Sequence, residues 1–243
     1  MNTQTLEQMK ELRLYGMYRA FNTSLSSQSI AYTNDELIAY LLQSEWDDRQ
    51  NRKIERLTKA AKFRYKAVME DIAFDAARNI DKNQIQRFAS CQFIDKKENI
   101  LITGSTGTGK SYIASAIGHQ ACSLGYKVMY FNANKLFTML KTSKADGSYI
   151  KQINKLERQD VLILDDFGLK GLDHINRQTL MEIIEDRHGK RSTIIASQLP
   201  IEAWYQTIGE QTIADAILDR LVHTAHRIDI KGESMRKKLR NKS

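Results

Sequence analysis

A single proline, Pro200, interrupts 243 residues. So little ring-imposed punctuation implies short loops and much helix. Only two cysteines occur, Cys91 and Cys122, and no ligand spacing surrounds them. A disulfide framework is excluded, and the pair reads as reduced thiols of a cytoplasmic protein. No apolar run approaches the roughly 18 residues of a membrane span, so no membrane partner is expected. The opening MNTQTLEQMKELRLYGMYRA is amphipathic and carries acids. It lacks the continuous apolar core of a secretion signal. His223 and His226 stand three apart, but no further ligand is spaced to complete a zinc site, so they read as structural or solvated. Acids are also short: the net charge is +8 and the pI about 9.3, which points to a polyanion partner. The excess is concentrated in two places. Lys231, Arg236, Lys237, Lys238, Arg240 and Lys242 face Glu233 alone, and a second cluster runs from Arg49 to Lys66.

What is present begins with Gly104-Ser105-Thr106-Gly107-Thr108-Gly109-Lys110-Ser111. An apolar run, residues 99–103, precedes it and a helical pattern, Tyr112 to Leu124, follows. This is the phosphate-binding loop G-x-x-x-x-G-K-[ST] in its strand–loop–helix context. The glycines let backbone N–H groups turn inward around a phosphate. The helix N-terminus favours an anion. Lys110 would reach the β- and γ-phosphates, and the Ser111 hydroxyl would ligate Mg²⁺. A plain glycine turn is the bland alternative; eight residues in pattern with both flanks right speak against it.

From residue 99 onward strand and helix patterns alternate, which implies a parallel sheet with helices on both faces. Strands are expected at Ile100–Thr103, Lys127–Asn132, Val161–Asp165, Thr193–Ser197 and His226–Ile230. Ligands of such sheets sit at the C-terminal strand ends. One end carries the glycine loop. A second carries Val161-Leu162-Ile163-Leu164-Asp165-Asp166, an apolar strand ending in acid. Asp165 would hold Mg²⁺, and Asp166 would orient or deprotonate the attacking water. A third carries Ser197 and Gln198, where a polar side chain would touch the γ-phosphate or the water; a turn before Pro200 explains them equally. Phe93 and Ile94, just before the first strand, flank an adenine ring or belong to the core. Arg220, on a helix after the fourth strand, suits an arginine finger serving a neighbouring subunit, or else a surface pair with Asp219. Arg177 and Arg187 are weaker candidates.

Residues 1–75 read as helices, with a domain boundary near residue 78. Thr33-Asn34-Asp35-Glu36 has the character of a helix start. Ile54, Leu57, Ala61, Val68 and Ile72 are expected to form an apolar stripe. Arg49, Arg52, Lys53, Arg56 and Lys59 recur at three- and four-residue steps and share a face. That face would neutralise a row of phosphates, or is simply solvated.

Asp165-Asp166-Phe167-Gly168 also matches the D-x-x-G of GTPases, but no N-K-x-D follows to read guanine. ATP is therefore the expected nucleotide. A small-molecule kinase would gain nothing from a basic helix and a basic tail. A scaffold that binds nucleotide without hydrolysing it is a further alternative.

The chain resembles the IstB-type transposition helper ATPases, relatives of the DnaC-type helicase loaders in the AAA+ class. The residues that carry the likeness are Leu12-Arg13-Leu14-Tyr15-Gly16-Met17, Glu45-Trp46 with Arg49, Asn51, Arg52 and Arg56, Cys91 to Ile94, the double Asp at 165 and 166, Ala216 to Leu221, and Gly232-Glu233-Ser234-Met235-Arg236. Gln198 stands where the family usually has Asn, Tyr112 where it often has His, and Ser111 where it often has Thr. The resemblance implies an AAA+ core with a parallel sheet flanked by helices (79–243), a small helical N-terminal domain (1–78) and no separate lid. It implies a homo-oligomer with ATP between subunits, contacted on one side by Lys110 and Ser111, within the run Gly104 to Tyr112, and by Asp165, and on the other by Arg220. It also implies assembly on duplex DNA largely without sequence preference, and recruitment of a transposase. A helicase loader is the alternative it leaves open.

Overall fold

The computed structural model describes residues 2–26, 32–74 and 78–235. The chain divides into two compact units, Met1–Arg56 and Leu57–Ser243. Arg236 of the closing motif and the basic tail beyond it lie outside the described residues.

In the first unit α1 (Asn2–Glu11) and α2 (Tyr15–Ser26) are separated at Arg13, whose φ is +57°. Leu12, between the two helices, is exposed. The third helix, α3 (Asn34–Ala61), starts with a reciprocal cap. The Thr33 N–H donates to Glu36 at 2.8 Å and the Glu36 N–H to the Thr33 hydroxyl at 3.4 Å. Glu45 on α3 accepts the free N–H groups of Gly16 and Met17 at the start of α2, at 2.8 and 3.3 Å. Gly16 fits there because a Cβ would collide with the Ser44 carbonyl.

The helical expectation past residue 61 is corrected. At Lys62 the backbone turns left-handed (φ +57°), and α3 ends. Residues 62–74 are irregular apart from a 3₁₀ turn at Met69–Asp71. Val68 is exposed rather than part of an apolar stripe, while Ala61, Ala67 and Ile72 are buried in the core of the second unit. The compact division falls after Arg56, ahead of the boundary expected near residue 78.

The second unit holds α4 (Lys82–Ala89), α5 (Gln92–Asp95), β1 (Asn99–Gly104), α6 (Lys110–Ser123), β2 (Val128–Asn132), α7 (Ala133–Ala145), α8 (Tyr149–Glu157), β3 (Val161–Phe167), α9 (His174–Arg187), β4 (Ser192–Ser197), α10 (Trp204–Ile208), α11 (Gln211–Val222) and β5 (Ala225–Ile230). The five strands pair in parallel in the order β2-β3-β4-β1-β5. All five expected strands are present. Successive side chains serve opposite faces, as the strand period requires. Ile100, Ile102, Ile163 and Ile194 join a core with α4, α5 and α6. Leu101, Leu162, Leu164 and Ile195 join a second core with α7, α9 and α11. A sheet covered on both faces explains why β1, β3 and β4 read as unbroken apolar runs. Each fully buried Leu or Ile adds about 1.5–3 kcal/mol. Phe93 and Ile94 are core residues, Phe93 lying edge-on to Phe88 with ring centroids 5.9 Å apart. No described helix is long and apolar enough to cross a membrane.

Candidate nucleotide site

The loop between β1 and α6 is built on left-handed glycines: φ is +142° at Gly104, +82° at Gly107 and +99° at Gly109. A Cβ at Gly104 would strike the Ile230 carbonyl, and one at Gly107 would strike Ser234. The loop is tied from several sides. The Arg78 guanidinium donates to the Thr108 carbonyl at 2.6 Å, the Met235 N–H to the Gly107 carbonyl at 2.9 Å, and the Thr108 hydroxyl to the Ser105 carbonyl at 2.8 Å. Such bracing holds the amides in place before any anion arrives.

Lys110 is buried, and its Nζ donates to the Ser105 carbonyl at 2.7 Å. Burial pushes its pKa down, partly offset by the charges of Asp165 and Asp166. The Ser111 hydroxyl donates to Asp165 Oδ1 at 2.9 Å. Asp165 is also buried; its Oδ2 accepts from the Tyr130 hydroxyl, and its Oδ1 from the Asp166 N–H at 2.9 Å. Burial and the bond to Asp165 hold the Tyr130 phenol well above its ordinary pKa. A hydroxyl and a carboxylate in mutual reach are hard oxygen donors that fit Mg²⁺. Among the described residues no group of three or more His, Cys, Asp or Glu could hold a metal alone. Two protein donors suit a Mg²⁺ that takes its other ligands from phosphate and water.

Asp166 has φ +56° and sits where the β3–β4 register slips between Leu164 and Phe167. Its Oδ2 accepts from the Asn132 amide at 2.9 Å and from Arg64 Nη1 at 3.1 Å. The same Nη1 lies 3.5 Å from Asp165 Oδ2. Gln198 accepts from the Thr106 hydroxyl at 2.6 Å and so faces the loop. Ser197 is instead a turn residue: buried, it donates to the Phe167 carbonyl at 2.8 Å and accepts from the Leu199 N–H at 3.1 Å.

Lys110, Ser111, Asp166 and Gln198 line one cavity of about 490 Å³, with Tyr112 on its wall; the buried Asp165 meets it through the Ser111 hydroxyl. The rest of the cavity wall includes Arg64, Tyr65, Asp71 and Arg78, which no motif in the sequence marks, together with Ile72 and Met235. The Tyr112 hydroxyl stands 3.5 Å from Asp71. The one available signal was charge: Arg64 falls inside the basic cluster from Arg49 to Lys66.

Arg220 is not in this cavity. Its Nη2 pairs with Glu185 at 2.7 Å, and its carbonyl accepts from Asn99, at the start of β1. The loop lies at the other end of that strand, about 20 Å away. Within one chain Arg220 cannot reach a phosphate held by the loop. The weaker candidates are structural clamps. Arg177 bonds the Ile208 carbonyl at 2.6 Å and Glu210 at 3.1 Å. Arg187 is buried and bonds the carbonyls of Leu156, Gln159 and Ser192. His226 faces Glu98 at 2.8 Å.

The basic stripe on α3 is partly spoken for. Arg49 pairs with Glu45 at 2.7 Å, and Arg52 with Asp48 at 2.6 Å. Lys53, Arg56 and Lys59 form no ion pair among the described residues.

A parallel sheet with strand order β2-β3-β4-β1-β5, a glycine loop after β1 and a double Asp on β3 define a P-loop ATPase of the AAA+ class. Residues 7–243 match the family model described as IstB-like ATP binding protein. The chain belongs to that family. It is 42% identical over 240 residues to the putative insertion sequence ATP-binding protein y4pL of Sinorhizobium fredii (strain NBRC 101917 / NGR234), covering 98% of each chain. It is 42% identical over 204 residues to the insertion sequence IS1162 putative ATP-binding protein of Pseudomonas fluorescens, covering 82% of this chain and 87% of that one. Among solved structures it resembles the DnaC helicase loader, with a TM-score of 0.57 and 17% identity over 69% of this chain and 98% of that one. That last likeness concerns the fold.

Proposed function

We propose that the protein is the ATP-dependent DNA-assembly factor of an insertion sequence. ATP binding assembles copies of the chain on duplex DNA, the assembly recruits and stimulates a transposase, and hydrolysis takes it apart. The observation that carries the nucleotide part is the 2.9 Å contact of Ser111 with Asp165, beside a cavity that Ser111 lines with Lys110, Asp166 and Gln198. Membership of the IstB-like family, with relatives named as insertion sequence ATP-binding proteins, supports the transposition part.

Bound Mg²⁺ would supply Lewis-acid neutralisation of charge developing on the phosphates. The protein's own groups do the rest. The loop amides and Lys110 bind the phosphate chain, and Ser111 and Asp165 hold the metal. The Asp166 carboxylate takes the proton of the attacking water, with Gln198 orienting that water from the loop side. Arg220 completes a neighbouring subunit's site. The helical N-terminal domain, with Lys53, Arg56 and Lys59 and the paired Arg49 and Arg52, contacts DNA phosphates, which gives affinity without sequence preference.

The test is ATP hydrolysis with and without duplex DNA, with assemblies imaged in the same samples and a transposase of the same insertion-sequence class added. Duplex-stimulated hydrolysis and ATP-dependent assemblies that retain the transposase are expected. Preference for single strands together with indifference to the transposase would turn the reading toward a helicase loader.

A further inference from the structure

We propose that Arg64 is a nucleotide-sensing residue acting in cis: its guanidinium holds the Asp165–Asp166 pair when the cavity lacks a triphosphate and engages the terminal phosphate when one is bound. This rests on the cavity being an ATP site.

Two adjacent carboxylates, one buried and one half-buried, repel each other and need a counter-cation. Lys110 is committed elsewhere, with its Nζ on the Ser105 carbonyl. Arg64 fills the need, its Nη1 lying 3.1 Å from Asp166 and 3.5 Å from Asp165. It reaches across from the irregular segment after α3, 102 residues away in the chain. Its side chain remains 43% exposed and stands over the Tyr65 ring, with 5.5 Å from guanidinium carbon to ring centroid. The cation is therefore tethered at the cavity wall rather than packed, and it is free to exchange one anion for another.

The chemistry of the exchange follows from charge. Ser111 and Asp165 would hold a divalent cation, whose charge would offset the carboxylates that Arg64 now satisfies. A guanidinium displaced from carboxylate prefers phosphate, whose oxygens match its planar fork. The carboxylate pair marks the end of the cavity where the terminal phosphate of a triphosphate belongs, because the loop amides take the inner part of the chain and Lys110 reaches outward to its β- and γ-phosphates. A diphosphate offers Arg64 no terminal phosphate to receive its guanidinium. The residue would therefore favour ATP over ADP, independently of the arginine supplied by a neighbour.

The test is equilibrium binding of ATP and of ADP, each with Mg²⁺, to the full chain and to its Arg64→Gln and Arg64→Lys variants, with thermal unfolding as a check of folding. The wild type should prefer ATP. Arg64→Gln should cut the ATP-to-ADP affinity ratio about tenfold, mainly through weaker ATP binding, and Arg64→Lys should recover part of it. An unchanged ratio in Arg64→Gln, or equal losses for both nucleotides, would overturn the role of Arg64 while leaving the nucleotide site intact. A wild type that binds neither nucleotide would instead remove the ATP-site reading on which the proposal rests.

Discussion

The Ser111 hydroxyl donates to Asp165 Oδ1 at 2.9 Å, joining the first turn of α6 to the end of β3 across 54 residues of sequence. Neither side chain makes a metal site alone. If the pair is the protein's share of a Mg²⁺ site, Ser111→Ala and Asp165→Asn should each remove about tenfold of the gain in ATP affinity that Mg²⁺ provides, and Ser111→Thr should keep it. Binding with Mg²⁺ and with a chelator separates this from a general loss of the pocket. Equal weakening in both conditions would count against a metal role.

That contact was legible because both partners lie in contiguous motifs, the loop at 104–111 and the acid-ended strand at 161–166. The sheet was legible for a similar reason, since strands buried on both faces leave unbroken apolar runs. What could not be read was long-range. Arg64, Tyr130 and Asn132 reach the Asp pair from elsewhere in the chain, and no local pattern announces them. The end of α3 was hidden too. Its helical spacing continues on paper through Val68 and Ile72, yet a left-handed Lys62 diverts the chain. Tertiary packing of Ala67 and Ile72 there overrides local propensity.

Glu45 gives a pH prediction for the N-terminal helices. Burial raises its pKa, but bonds from Arg49, Met17 N–H and Gly16 N–H outweigh burial and leave it below the ordinary value. Its folded pKa is therefore lower than its unfolded one. The stability it adds is present above about pH 4.5 and is lost as pH falls through the folded value. Glu45→Gln should destabilise the N-terminal unit by about 1–3 kcal/mol at neutral pH. The gap to the wild type should close on acidification, which amide hydrogen exchange of residues 15–26 would follow. A gap that stays constant with pH would show that the charge is not what matters.

The cysteines should be silent. Burial pushes Cys91 up to about 12 and Cys122 to about 11, and both are fully enclosed. At pH 8 the thiolate fraction is about one part in a thousand or less. A chromogenic disulfide reagent should therefore find no fast-reacting thiol in the native protein and two after denaturation. Rapid labelling of either residue in native buffer would contradict the packing around α5 and α6.

Arg220 sets the sharpest test of assembly. In its own chain it is bonded to Glu185 and lies at the opposite end of β1 from the loop. If it serves a neighbour's nucleotide, Lys110→Ala and Arg220→Ala should each abolish hydrolysis, yet a mixture of the two should regain part of it. In the mixture, an Arg220→Ala subunit keeps its own Lys110 and loop, and a Lys110→Ala subunit beside it supplies the missing arginine. Such rescue requires two chains at one site. A residue that only pairs with Glu185 to fix α11 against α9 gives no rescue, and in that case Glu185→Ala should reproduce the loss. Recovery of ATPase activity on mixing, read against each variant alone, decides between the two roles.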